Sequence, residues 1–443
     1  MSKLALFGGT PAIQRLCPDV FSWPIITKED EDAVLAVLRR GGMSSTDVTM
    51  QFEQEFAEWH RRKLALGFHN GTAALQAAMY GCKVGVGDAI ICPSLTYWAS
   101  CLPAYSLGAT VVFADVDSET LCIDPKCVER LINSRTKAIV AVHYCGYPAD
   151  MDSIMSIACK HRLKVIEDVS HAQGGMFKDR MVGNFGDVGA MSLMTGKSLA
   201  TGEAGVFVTD NREIYDRALA FGHYDRYAPG SVETEDLRAS AGLPLGGYKY
   251  RVHQLSSAIA RVQLKYYDER AEEIRKAMNY FWDGLEGVAG IRPHRPPKDS
   301  GSSMAGWYAP KGLYRPEELD GLSVTRFCEA VRAEGVSECG PGANKPLHLH
   351  PLLNTVDVYG HGCPTRVAHV PADALESKGS LPVTEKIGAH VYSIPWFKHY
   401  RAGVIDRYID AFRKVAENHG ELVEGDSGNP PDIGGWHLFD HDR

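Results

Sequence analysis

Two rhythms of apolar and polar positions alternate along the chain. Residues 27–40 (TKEDEDAVLAVLRR) set acids early and arginines late around an apolar stripe, which predicts an amphipathic helix aligned with its dipole. Residues 50–62 predict a second helix. Beyond them, short apolar runs predict strands at Ala89–Cys92, Thr110–Ala114, Ala138–Val142, Lys164–Glu167 and Val206–Thr209. Helical stretches separate them at Ala73–Tyr80, Ser100–Leu107, Asp124–Asn133 and Asp152–His161. Strands alternating with helices predict an α/β fold built on a mostly parallel, doubly wound sheet. Such sheets hold ligands at the carboxyl ends of their strands.

The rhythm lapses over residues 223–247, where Pro229, Gly230, Gly242, Pro244, Gly246 and Gly247 predict a long loop. A helical segment follows from Val252 to about Gly284. From residue 285 the pattern predicts a smaller α+β unit, with a last strand at His390–Ile394, a last helix at Ala402–Asn418 and an irregular polar tail over 424–443. The expected division is a large domain over 1–284, N-terminal segment included, and a small C-terminal domain over 285–443.

Composition narrows the function classes. Hydrophobic residues make up 44% of the 443 and charged residues 23%, ordinary values for a globular protein with chain enough for a full core. The net charge of -8 argues against nucleic acid as the main partner. No run approaches the ~20 apolar residues of a membrane helix, and the start, MSKLALFGGTPAIQ, lacks the features of a signal peptide, so no membrane partner and a cytoplasmic location are expected. The 11 cysteines include no CxxC pair and read as reduced thiols. His348, His350, His361 and Cys363 lie close in sequence but fit no standard zinc spacing, so no metal is expected.

Four segments carry candidate chemistry. In Phe68-His-Asn-Gly-Thr-Ala-Ala-Leu, Gly71 and Thr72 stand just before a predicted helix, where backbone N–H groups and the helix dipole bind phosphate. A Thr cap with no ligand reads the same way. In Lys164-Val-Ile-Glu-Asp-Val-Ser-His, Asp168 ends a strand expected to be buried, so its carboxylate needs a partner. The protonated pyridine nitrogen of pyridoxal phosphate (PLP) is one such partner; the cap of a following helix is the alternative. His171, three residues on, would reach the ring hydroxyl. Residues 186–205 (GDVGAMSLMTGKSLATGEAG) hold Lys197 with few other charges, and a desolvated lysine has the depressed pKa that Schiff-base formation needs. The small flanking residues admit a flat cofactor, and Ser192 offers a phosphate contact. A surface lysine in a glycine-rich turn is the plain alternative. In Gly247-Tyr-Lys-Tyr-Arg-Val-His, Lys249 and Arg251 sit beside a predicted helix start, placed to offer charge to a phosphate or a carboxylate, or simply to water.

In this order and spacing the four segments resemble the DegT/DnrJ/EryC1/StrS family of PLP-dependent aminotransferases, a fold-type I group. Pro93-Ser-Leu-Thr-Tyr, Val142-His-Tyr-Cys-Gly-Tyr-Pro-Ala-Asp-Met-Asp and Lys345-Pro-Leu-His-Leu-His-Pro extend the resemblance over nearly the whole chain. It implies that Lys197 carries the cofactor and shuttles the proton between substrate carbon and cofactor carbon. It implies Asp168 as the pyridinium partner, His171 as the ring-oxygen contact, and Gly71, Thr72 and Ser192 as phosphate contacts. Tyr97 falls where the family places an aromatic over the ring. Lys249 and Arg251 match the segment that reaches into the neighbouring subunit, which implies a homodimer with shared active sites. Departures from the family pattern are Ala204 in place of Gly, Met191 and Leu193 near a usual Phe, and Lys249 where Asn is frequent. Relatives with histidine at the lysine position are dehydratases, so Lys197 favours transamination. The Ser-Trp-Pro start at Ser22 and the lysine segment look most similar to the branches acting on scyllo-inosose-type cyclitols and making aminohydroxybenzoate. The expected reaction moves an amino group from glutamine or glutamate to a cyclitol or sugar ketone in aminoglycoside-type biosynthesis. An aminohydroxybenzoate-type synthase, another PLP-dependent dehydratase or lyase, and a non-catalytic PLP-binding sensor are the alternatives.

Overall fold

Thr27 opens the first helix with a local cap: Asp30 Oδ2 accepts from the Thr27 N–H at 2.8 Å and from its hydroxyl at 2.7 Å. Elements then follow in the predicted rhythm, seen in a computed structural model that describes residues 3–367 and 376–435. Helices α1 (Lys28–Arg39) and α2 (Asp47–His60) precede β1 (Leu64–Phe68) and α3 (Gly71–Gly81). Next come β2 (Ala89–Pro93), α4 (Pro103–Ser106), β3 (Thr110–Ala114), α5 (Pro125–Leu131), β4 (Thr136–Val142), α6 (Met151–His161) and β5 (Lys164–Asp168). A small hairpin of β6 (Met176–Phe177) and β7 (Arg180–Met181) leads to β8 (Val188–Ser192), β9 (Gly205–Thr209), α7 (Arg212–Gly222), α8 (Glu235–Arg238), α9 (Gln254–Lys265) and α10 (Tyr267–Gly284). The remainder holds β10 (Ile291–Pro293), β11 (Lys311–Tyr314), α11 (Val324–Ala333), α12 (Pro351–Asn354), α13 (Pro382–Lys386), β12 (Val391–Ser393) and α14 (Ala402–Glu417).

The large sheet has the order β1-β9-β8-β5-β4-β2-β3. Its pairs are parallel except where β9 meets β1 and β8. Side chains alternate between two apolar layers, as the pleat demands. Ile91, Ile139, Val165 and Val206 join one layer with Phe52 and Phe56 of α2 and Ile154 of α6. Their neighbours Ile90, Val140, Ile166 and Phe207 join the other with Leu75 of α3 and Leu219 of α7. Burial on both faces is why these strands read as unbroken apolar runs. The antiparallel sheet β10-β11-β12 belongs to a third core, where Phe281 of α10, Phe327 of α11 and Phe412 of α14 meet Leu4, Ile13 and Val20 from the N-terminal segment.

Several local expectations need correction. The helix expected at Ser100–Leu107 is a 3-10 turn at Trp98–Ser100 followed by the short α4, because Pro103 has no N–H to continue the ladder. The expected continuous helix from Val252 is two helices, broken at Tyr266, where φ is -105° and ψ 1°. Helix α3 starts at Gly71, and its cap is Asn70 rather than Thr72. Strands β1 and β8 and helix α7 went unforeseen. The 223–247 stretch is a loop interrupted by the one-turn α8. The tail is irregular over 424–435; 436–443 lie outside the described residues. Among the described residues no helix is long and apolar enough to cross a membrane.

Candidate active site

The register of the large sheet sets Val142 and Asp168, at the carboxyl ends of β4 and β5, beside Ala190 within β8. A cavity of about 670 Å³ opens there, walled on its far side by Tyr308, Lys311, Asn344 and Ser393. Asp168 is 5% exposed and lines it. Its Oδ2 accepts from Ser100 Oγ at 2.6 Å and its Oδ1 from the Ser170 N–H at 3.0 Å. No helix begins in the turn after Asp168, which removes the helix-cap alternative. His171 shares the cavity. Its Nδ1 accepts the Cys145 N–H at 3.2 Å, so the neutral ring carries its proton on Nε2. The ring lies 4.5 Å from that of Tyr308.

Helix α3 aims its start into the same space. Asn70 Oδ1 accepts from the Ala73 N–H at 2.8 Å, while Gly71 and Thr72 occupy the first two helical positions, where N–H groups have no intrahelical acceptor. A Cβ at position 71 would fall 2.7 Å from Ser192 Cβ, so only glycine lets the helix start approach β8. Ser192 ends β8 beside it, with its N–H on Ser170 Oγ at 3.0 Å. Backbone donors and a hydroxyl thus gather at the positive end of a helix, a ready anion cradle.

Lys197 lies on the β8–β9 connection. Its backbone is fixed at both ends, N–H to Met194 O at 2.8 Å and carbonyl to Trp23 Nε1 at 3.0 Å. Next to it, Ser198 Oγ bonds Gln173 Oε1 at 3.0 Å and Tyr267 OH at 2.8 Å. The Lys197 residue is 7% exposed, and its Nζ sits 3.7 Å from the centre of the Tyr308 ring. Among the described residues it makes no ion pair. Burial pushes its ammonium down to about 8, against the opposing pull of Asp168 and Cys145. Near neutral pH the nucleophilic amine is therefore a substantial minority form, far more abundant than for an ordinary lysine, as a carbonyl-attacking lysine requires.

The other candidates divide. Tyr97 lines the mouth and is 38% exposed. Lys249 and Arg251 line no part of this cavity. Lys249 is exposed, and Arg251 pairs with Asp225 at 2.7 Å. Sequence reasoning missed Ser100, Tyr308, Lys311 and Asn344. Tyr308 and Lys311 bracket the entry to β11, where the pattern shows only a short apolar run. A larger groove of about 890 Å³ lies between α1, α2 and α9, but its charges are spent on one another, in Arg261–Glu55, Lys265–Glu29 and Arg40–Asp47.

Known proteins share this arrangement of chain. The model of the DegT/DnrJ/EryC1/StrS aminotransferase family matches residues 24–413. The chain is 31% identical to "L-glutamine:2-deoxy-scyllo-inosose aminotransferase" of Micromonospora echinospora, covering 95% of this chain and 100% of that one. It is 36% identical to "Spore coat polysaccharide biosynthesis protein SpsC" of Bacillus subtilis (strain 168), over 75% of this chain and 84% of that one. Among solved structures, the aminotransferase from Psychrobacter cryohalolentis superposes with a TM-score of 0.77 at 27% identity, covering 90% of this chain and 99% of the other.

Proposed function

Because the chain belongs to the DegT/DnrJ/EryC1/StrS aminotransferase family and is a PLP-dependent aminotransferase, we propose that it moves an amino group from glutamine or glutamate to a cyclitol or sugar ketone in aminoglycoside-type biosynthesis. The carrying observation is Lys197: a buried amine, without an acid partner among the described residues, in one cavity with a buried carboxylate and a helix start. That donor set fits PLP. Lys197 would hold its aldehyde carbon, Asp168 its ring nitrogen, and His171 Nε2 its ring oxygen. The N–H groups of Gly71 and Thr72 with Ser192 Oγ would hold the phosphate, and Tyr97 would cover the ring.

When bound, the cofactor supplies an electron sink that acidifies the amino donor's α-carbon. The chain's own residues do the rest. Asp168, held by Ser100 and Ser170, would keep a proton on the ring nitrogen. Lys197 Nζ would take the proton from the donor's α-carbon and return it at the cofactor's aldehyde-derived carbon. Tyr308 packs at a tilt against His171 and covers Lys197 Nζ with its ring face.

The substrate class rests on the relatives' printed names: the Micromonospora protein supports a cyclitol ketone and glutamine, and the Bacillus protein supports the sugar half of the class. The same reading makes the enzyme a homodimer in which Lys249 and Arg251 serve the partner's cavity; their position outside their own supports it. It also takes residue 284 as the functional division, with Lys197 and Asp168 on one side and Tyr308, Lys311 and Asn344 on the other.

The test is product analysis. Glutamine with a cyclitol or sugar ketone should give exchange of oxygen for nitrogen on the acceptor and one 2-oxo acid per turnover, by mass spectrometry. Loss of water from the acceptor with no nitrogen gained would make the enzyme a dehydratase and overturn the proposal.

A further inference from the structure

Lys311 is a second buried lysine in the cavity, and the chemistry derived above gives it no task. It is 8% exposed and opens β11, paired in register with Ser393 of β12. Its Nζ donates to Ser393 Oγ at 2.9 Å and to the Gly342 carbonyl at 3.4 Å. Both acceptors are neutral, and an ammonium has three protons to place. Among the described residues no carboxylate stands within ion-pair distance of it. The thiols of Cys145, Cys328 and Cys339 lie in its surroundings; burial pushes Cys145 up to about 11 and Cys339 well above the ordinary thiol value, so neither of these two is a counter-ion at neutral pH. A buried cation held only by neutral dipoles is costly unless an anion arrives with a ligand.

Two anions enter a cavity of this kind, the cofactor's phosphate and a substrate carboxylate. The phosphate has its own cradle at the start of α3. Beside Lys311, Asn344 takes the Tyr144 hydroxyl on its side-chain oxygen at 2.6 Å, so its NH₂ group is the end left to meet a ligand. Resting on the aminotransferase reading, we infer that Lys311, assisted by Asn344, binds the α-carboxylate of the amino donor. A cyclitol ketone, a polyol without an acidic group, would make no use of it.

Glutaramate, which is glutamine without its α-amino group, and the carboxylate-free diamide glutaramide are the probes, titrated calorimetrically into the PLP-loaded enzyme. The wild type should bind glutaramate at least about 10-fold more tightly than glutaramide. Lys311→Met should weaken glutaramate about 10- to 100-fold and leave glutaramide unchanged, with the visible cofactor band and thermal transition retained. Stopped-flow spectra should show the glutamine half-reaction needing correspondingly more donor, while the ketone half-reaction from the aminated cofactor stays as in the wild type. Equal binding of the two probes by the wild type would overturn the inference even if no Lys311 variant folds. So would an unchanged affinity for glutaramate in Lys311→Met, or an equal defect in both half-reactions. A wild type that no amino donor converts would instead overturn the aminotransfer reading itself.

Discussion

Glu167 and Asp168 are neighbours at the end of β5, both hidden from water, and the pleat sends them to opposite faces of the sheet. Glu167 is saturated. It accepts from the N–H groups of Gly183 at 2.7 Å, Phe185 at 2.8 Å and Gly186 at 2.7 Å, and meets His143 Nε2 at 3.2 Å. Asp168 has two such contacts and turns the rest of its carboxylate to the cavity. A carboxylate has about four lone-pair sites. The acid that fills all of them with its own chain is structural: Glu167 ties down the 183–186 loop that delivers β8, and β8 delivers Ser192 and Lys197. The acid that fills half of them is waiting for a ligand.

This contrast can be broken by substitution. Asp168→Asn should keep the fold and lower kcat about 10²- to 10³-fold, roughly 2.7–4 kcal/mol of barrier, because a charge preorganised for the reaction is lost. Glu167→Gln should do the reverse. Stability should fall by about 1–3 kcal/mol as at least one loop N–H loses its acceptor, while kcat per folded molecule stays within a few-fold. Denaturant unfolding and steady-state kinetics on both proteins check the pair. Similar profiles in the two variants would erase the distinction.

Acidification gives a finer test. Burial alone would raise the Glu167 carboxyl, but His143 and the loop amides hold it below its ordinary value. A lowered folded pKa contributes stability above the unfolded value, near 4.5, and loses it as pH falls through the folded one. The stability gap between wild type and Glu167→Gln should therefore be full at neutral pH, begin to shrink as pH falls below about 4.5, and close only as it passes the lowered folded value. The smallest effect concerns Lys197. With its ammonium pushed down to about 8, apoenzyme should capture PLP at a rate that rises with pH with its midpoint near 8, not near 10.5. Stopped-flow absorbance at the imine band measures it.

How much of this was legible beforehand follows from the same contrast. Asp168 and Lys197 stood out because each breaks an otherwise apolar or small-residue run, and the strands themselves were readable because both faces of the sheet are buried. Strand β8 was not, since Gly189 interrupts its apolar run. Glycine is there because a Cβ would sit 2.9 Å from the Gly183 carbonyl, a contact no local pattern reveals. Lys311 was silent for a related reason: its meaning depends on Ser393, 82 residues away, and on a cavity wall built by a different sheet. Glu167 hid in plain view, one residue from the acid singled out, because the loop that saturates it is assembled only in three dimensions. Lys249 and Arg251 were visible as charges, the family resemblance already pointed them at a neighbouring subunit, and they line no part of this chain's cavity.

The central claim is that Lys197 is the residue that carries the cofactor. Borohydride reduction of the PLP-loaded enzyme, followed by digestion and mass spectrometry, fixes the cofactor to whichever lysine holds it. A single pyridoxyl-modified peptide containing Lys197 is expected, and none in Lys197→Ala, whose turnover should drop by about 10²- to 10⁴-fold. Label on Lys311 or any other lysine, or parental turnover in Lys197→Ala, would contradict it.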